Sequence, residues 1–154
     1  MDDRTSTSYI FFLRSNPISW SSKKQRVVAR SSTEAKYRSL ASAASETVWL
    51  ISLFNEQRLF INASLALLCD NLGAINLSFN PIQHSRMKHI QIDLHFIRDL
   101  VSKKILNVHH VNTADQLANL LTKPLSQQRL DSLRNNIGLV NGSSILRGHI
   151  REVI

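Results

Sequence analysis

The chain has 154 residues, 43% of them hydrophobic, which suits one domain with a packed core and excludes a disordered polypeptide. Lys and Arg outnumber Asp and Glu by 19 to 11, and the resulting +8 favours a polyanionic partner, nucleic acid before a membrane surface. The single cysteine, Cys69, excludes an internal disulfide and fits a reducing intracellular compartment, cytoplasm or nucleus, while no apolar run approaches the roughly 18 residues of a membrane span.

In chain order, the N-terminal MDDRTSTSYIFFL is acidic ahead of its apolar run and makes a poor signal peptide. Residues 9–13 (YIFFL) read as a strand, RSNP as a turn, and residues 18–22 (ISWSS) as the second arm of a hairpin. The basic KKQRVVAR follows, with Lys23, Lys24 and Arg26 beside Trp20, a pattern suited to phosphate contact or to an exposed strand end. A long helix is expected over residues 32–57, with Ser31 as its cap and Glu34 completing a capping box. Tyr37, Leu40, Ala41, Ala44, Val48 and Ile51 give it one apolar stripe. Lys36 lies in its second turn, near the positive end of the helix dipole, where an ammonium is disfavoured.

Residues 65–69 (LALLC) read as a short strand, Asp70 as the junction, and NLGAINLSF as a helix ended by Asn80-Pro81. A polar linker over residues 82–87 leads to a helix over 89–103 with Ile90, Leu94, Ile97 and Val101 on one side. ILNVHHV alternates as a strand. Thr113 or Asp115 is placed to cap a helix over residues 116–121, and another helix is expected over 126–135. This order implies one mixed sheet with helices packed on it, an α/β fold over residues 1–139, followed by an irregular tail over 140–154.

The histidines do not make a metal site: His84, His89 and His95 are spaced 5 and 6, and His109 and His110 are adjacent in a strand. There is no phosphate-cradling glycine motif and no nucleophile elbow. Asp70 is the candidate of interest, because a carboxylate just beyond a buried strand stands where α/β folds place functional groups; the competing reading is a helix N-cap.

The segments ISWSSKKQRVVARSSTEAKYRSLASA, LLCDNLGAI, HSRMKHIQIDLHFIRDLV and HHVNTADQLANLLTKPL resemble the ribonuclease H domain of plant copia-type retrotransposon polyproteins. The resemblance implies a five-stranded mixed sheet of order 3-2-1-4-5 with flanking helices, and hydrolysis of the RNA strand of RNA–DNA hybrids. That chemistry uses two magnesium ions about 4 Å apart, held by carboxylates. The family supplies four acids. The first belongs to a central strand resembling SDADWAG, and this sequence begins in the loop after it, where Asp2 and Asp3 do not replace it. The second belongs to a segment resembling STEAEY, and its position here is Lys36. The third is retained as Asp70, the one metal ligand expected to survive. The fourth belongs to a segment resembling QLADIFTKPL and falls on Asn119.

As a neighbour Glu34 cannot stand in for Lys36, because two residues are about 200° apart on a helix; an alignment shifted by two would instead make Glu34 itself the second acid, and even then only two of the four survive. Asp115 would share a helical face with Asn119, about 6 Å away along the axis. Lys36 could pair with Asp70 and fill the cation site. The expected function is therefore a ribonuclease H-like domain that has lost magnesium and catalysis but keeps basic binding to nucleic acid. The alternatives are an active ribonuclease H completed by a strand from elsewhere, and a relic or interaction module. Without the central strand, the sheet is expected to close imperfectly or to pair its two exposed edges directly.

Overall fold

The computed structural model describes residues 5–61, 65–80 and 90–138. The linker over 82–87, His84, His89, Asp2, Asp3 and the tail over 140–154 lie outside the described residues. Within them the order is β1 (Ser6–Leu13), β2 (Asn16–Lys24), α1 (Ser32–Glu56), β3 (Leu65–Cys69), α2 (Leu72–Phe79), α3 (Gln91–Ser102), β4 (Leu106–His110), a 3-10 helix (Leu117–Leu121) and α4 (Gln127–Ile137).

β1 and β2 form an antiparallel hairpin, with Arg14 at φ 55 in its turn. The pairing Phe11↔Ser19 is followed by Phe12↔Pro17, so Ile18 is the extra residue of a bulge. Pro17 has no N–H to give the ladder, and a bulge is one of the few places a strand accepts proline. The second arm therefore starts before Ile18, inside what the sequence presents as a turn.

β3 and β4 form a separate parallel pair, Leu65↔Leu106 to Cys69↔His110. The expected single mixed sheet is thus two two-stranded sheets among the described residues, β1-β2 and β3-β4, and β1 does not pair with β3. The sheet closes imperfectly; the two edges do not meet.

α1 joins the two sheets. Its buried side presents Tyr37, Leu40, Ala41 and Ala44 to a core that includes Ile75 and Leu77 of α2 and Leu94, Ile97 and Leu100 of α3. Leu106 and Val108 of β4 complete it from the sheet side. The stripe expected from the sequence broadens at its C-terminal end: Val48 packs half-buried against the core as expected and Ile51 is half-buried, while Thr47 and Leu50 are buried beside them, Thr47 donating its hydroxyl to the Ala43 carbonyl at 2.7 Å.

Ser31 caps α1, accepting from the Glu34 N–H at 3.1 Å. The reciprocal half of the capping box is displaced by one residue, because the Glu34 carboxylate accepts from the N–H of Arg30 at 2.9 Å. Ser126 precedes α4, and Gly138 ends it at φ 76, a left-handed conformation that favours glycine. No helix among the described residues is long and apolar enough to cross a membrane.

Candidate functional site

Asp70 follows the last residue of β3 and precedes α2. It is not the cap of α2. Asn71 takes that role, its side-chain oxygen accepting from the Ala74 N–H at 2.9 Å. The Asp70 carboxylate is freed for another use: its side chain is only 4% exposed, and Oδ1 lies 2.7 Å from Lys36 Nζ. Gly73 allows this approach of the two helix starts, since a Cβ there would meet Thr33 Oγ1 at 3.0 Å. The lysine that is poorly placed for the α1 dipole is thus well placed for a buried carboxylate, and the ion pair offsets the dipole cost.

Lys36, Asp70 and Asn119 line one cavity of about 1290 Å³. Asn119 is buried in the 3-10 helix and donates its side-chain amide to the Thr113 carbonyl at 3.1 Å. The α-helix expected over 116–121 is replaced by this 3-10 helix, and neither Thr113 nor Asp115 caps it through a side chain. Asp115 sits in the preceding turn, its N–H on the Asn112 carbonyl at 2.8 Å, so the helical-face relation to Asn119 does not hold. It lines the same cavity from an exposed position.

Glu34 is placed differently. Its side chain is 2% exposed, its carboxylate accepts from Arg38 Nε at 3.1 Å and pairs with the Arg38 guanidinium at 3.0 Å, and it does not line the cavity. Lys23, Lys24 and Arg26 are exposed at the end of the hairpin, away from the cavity lining. Between them Gln25 is buried, donating to Thr7 Oγ1 at 3.1 Å and to the Ala35 carbonyl at 2.9 Å. That glutamine anchors the basic strip to α1 and was not singled out from the sequence; an uncharged residue inside KKQR was the available signal.

Two further groups shape the surroundings. Burial pushes the Cys69 thiol up, against the hydrogen bond it gives to the Asn71 carbonyl. Burial also pushes the Asp93 carboxyl up, partly countered by the Arg38 guanidinium. Among the described residues no cluster of three or more His, Cys, Asp and Glu side chains could hold a metal ion.

Over 139 residues, 90% of its length, the chain is 52% identical to the retrovirus-related Pol polyprotein from transposon RE1 of Arabidopsis thaliana. It is homologous to a segment of plant transposon Pol polyproteins. The Pol polyprotein from transposon RE2 of the same plant is 51% identical over 140 residues. That from transposon TNT 1-94 of Nicotiana tabacum is 34% identical over 136 residues. The chain spans about 10% of the length of each of these Pol relatives. No family model matches the chain, and no solved structure matches it.

Proposed function

We propose that the chain is the ribonuclease H-like part of a retrotransposon Pol polyprotein with a disarmed catalytic centre, retaining weak, sequence-independent binding to nucleic acid inside the cell. The observation that carries this reading is the Lys36 ammonium at 2.7 Å from the Asp70 carboxylate. In this reading Asp70 is the surviving metal-ligand position, and Lys36 and Asn119 occupy the positions of a lost Glu and a lost Asp.

The residues present do not fit a pair of magnesium ions. Mg²⁺ selects charged oxygen donors in near-octahedral geometry. Here one buried carboxylate is already neutralised by Lys36, and Asn119 offers at most a neutral oxygen. A cation held beside that ammonium would meet repulsion of about 4 kcal/mol per unit charge at 4 Å and an effective dielectric of 20. The homology to Pol polyproteins supports the origin of the chain, and its excess of 19 basic over 11 acidic residues supports the binding.

Two assays test the reading. Magnesium-dependent hydrolysis of an RNA–DNA hybrid should be undetectable with the unmodified chain. Hybrid binding should weaken as salt rises and counterions are released, and Lys23→Ala/Lys24→Ala/Arg26→Ala should reduce both affinity and salt slope. Unchanged affinity and slope would make the basic strip a solvated surface only. The second reading, an enzyme completed by a strand from elsewhere, is favoured by one observation, the open cavity between the two sheets.

A further inference from the structure

Between residues 5 and 33 the chain carries five basic side chains, Arg14, Lys23, Lys24, Arg26 and Arg30, and no acidic one. All five are exposed. Among them stands Trp20, the largest apolar side chain of the hairpin, and it is 64% exposed. We infer that the outer face of the β1–β2 hairpin is a platform for single-stranded nucleic acid, with a base stacked on Trp20 and the basic side chains set along the phosphates. The inference deepens the proposed nucleic-acid binding and rests on it for the phosphate contacts. It adds the stacking residue and the strandedness of the ligand.

The two faces of the hairpin are told apart by their contacts. Thr7 lies against Ser39 of α1 at 3.3 Å, and the Tyr9 phenol feels the charge of Glu46 of α1. That face turns toward α1, so Ser8 and Ile10 turn the other way. Across the ladder Ser8 pairs with Ser22, and Ile10 with Trp20. Ser8 and Ser22 donate to the Ala118 and Leu121 carbonyls of the 3-10 helix, each at 3.0 Å. The 3-10 helix therefore covers the outer face at the two serines. Trp20, two residues and ~7 Å along the strand, stands beyond its rim. Its cross-strand neighbour Ile10 is half-buried, so the indole has an apolar flank on one side and solvent on the other.

An indole held open among cations suits one ligand chemistry. Every base has a π-face that stacks on an aromatic ring, and its backbone carries the anions that lysine and arginine meet. A paired duplex keeps its base faces covered by stacking, whereas a single strand leaves them free. Lys24 shares the face of Trp20 and lies four residues away, ~13 Å, a span that a few nucleotides of extended strand cover. Lys123, two residues past Leu121, brings a further exposed cation to the rim. Other occupants fit less well. A second copy would set five cations against five like ones. A bilayer calls for apolar residues leading at the hairpin tip, and the tip here is Arg14, Ser15 and Asn16, all exposed.

The experiment titrates the full 154-residue chain carrying Trp49→Phe with an oligothymidylate of about twelve nucleotides. Trp49 is 59% exposed on α1, so its replacement leaves Trp20 as the indole reporter without touching the core. Saturable quenching of Trp20 fluorescence is expected. Anisotropy of a labelled oligothymidylate then compares two variants. Trp20→Phe keeps an aromatic face and should retain most of the affinity. Trp20→Leu keeps apolar bulk, loses the π-face and should weaken binding at least about fivefold. The slope of log affinity against log salt should be the same in both, because the phosphate contacts are untouched. No quenching, or leucine binding as tightly as phenylalanine, overturns the inference. So does the same loss against a fully paired RNA–DNA hybrid, which would make Trp20 a duplex contact. Trp20-dependent binding to vesicles of anionic phospholipid as tight as that to the oligonucleotide, or Trp20-dependent self-association without it, overturns the inference as well. The two failures separate. An unchanged salt slope in Lys23→Ala/Lys24→Ala/Arg26→Ala removes the electrostatic reading, while equal leucine and phenylalanine variants at a normal slope remove only the stacking.

Discussion

Lys36 and Asp70 are the residues on which the account turns, and their contact makes a specific energetic prediction. The carboxylate is 4% exposed and the lysine side chain 36% exposed. Removing the lysine leaves a buried charge without its partner, whereas removing both charges does not. Lys36→Met should therefore destabilise the chain by about 1–3 kcal/mol, and Lys36→Met/Asp70→Asn by less than Lys36→Met alone, measured by urea denaturation. Equal or greater cost for the double variant would show that the pair is not coupled. Tyr37 gives the pH prediction. Burial pushes its phenol up to about 12, only partly countered by the neighbouring Ser78 hydroxyl and the Arg98 charge, so the folded state holds the proton that the unfolded chain releases near 10. Stability contributed by the neutral phenol is present below pH ~10 and is lost as pH rises toward ~12. Tyr37→Phe should flatten that alkaline loss in a stability–pH series; an unchanged slope would place the loss elsewhere. The lysine was conspicuous in the sequence because it opposed the helix dipole. The Glu34–Arg38 pair was not, since the capping-box pattern gave the glutamate a sufficient local role.

At the scale of elements, local chemistry was most legible where side chains act on their own backbone. Ser31 caps α1 as its position before STEA indicates, and Ser31→Ala should cost about 1 kcal/mol in chemical denaturation. A change below a few tenths would mean that the Glu34 link to the Arg30 N–H carries the start of α1. The LALLC strand and the helices were placed to within a few residues by apolar periodicity. Failures came where tertiary contacts override local pattern. The segment 116–121 has a helical composition, but the bonds from Gln116 to β3 and from Ser8 to Ala118 pull it into a tighter 3-10 turn. Asp70 has the chemistry of a cap, yet Asn71 takes the cap because the carboxylate is drawn to Lys36 from another element, a relation no local window contains.

For the whole molecule, separation of the four described strands into two sheets predicts modest stability. Among the described residues each strand has a single partner, which leaves main-chain groups and apolar surface of β1 and β3 beside a cavity. The isolated chain should melt below about 60 °C by circular dichroism, and a cooperative transition well above that would refute an incomplete sheet. The order of elements indicated a mixed α/β class, but only the three-dimensional arrangement shows that Lys36, Asp70 and Asn119 line one space. The proposed loss of catalysis in this space is tested most directly by magnesium-dependent cleavage of the RNA strand of an RNA–DNA hybrid. No cleavage is expected from the unmodified chain and none from Lys36→Glu alone. Cleavage should appear in Lys36→Glu/Asn119→Asp once an N-terminal strand bearing an Asp is supplied, and should vanish again on Asp70→Asn, because such acids act as one unit. Cleavage by the unmodified chain that disappears on Asp70→Asn would contradict the proposed loss.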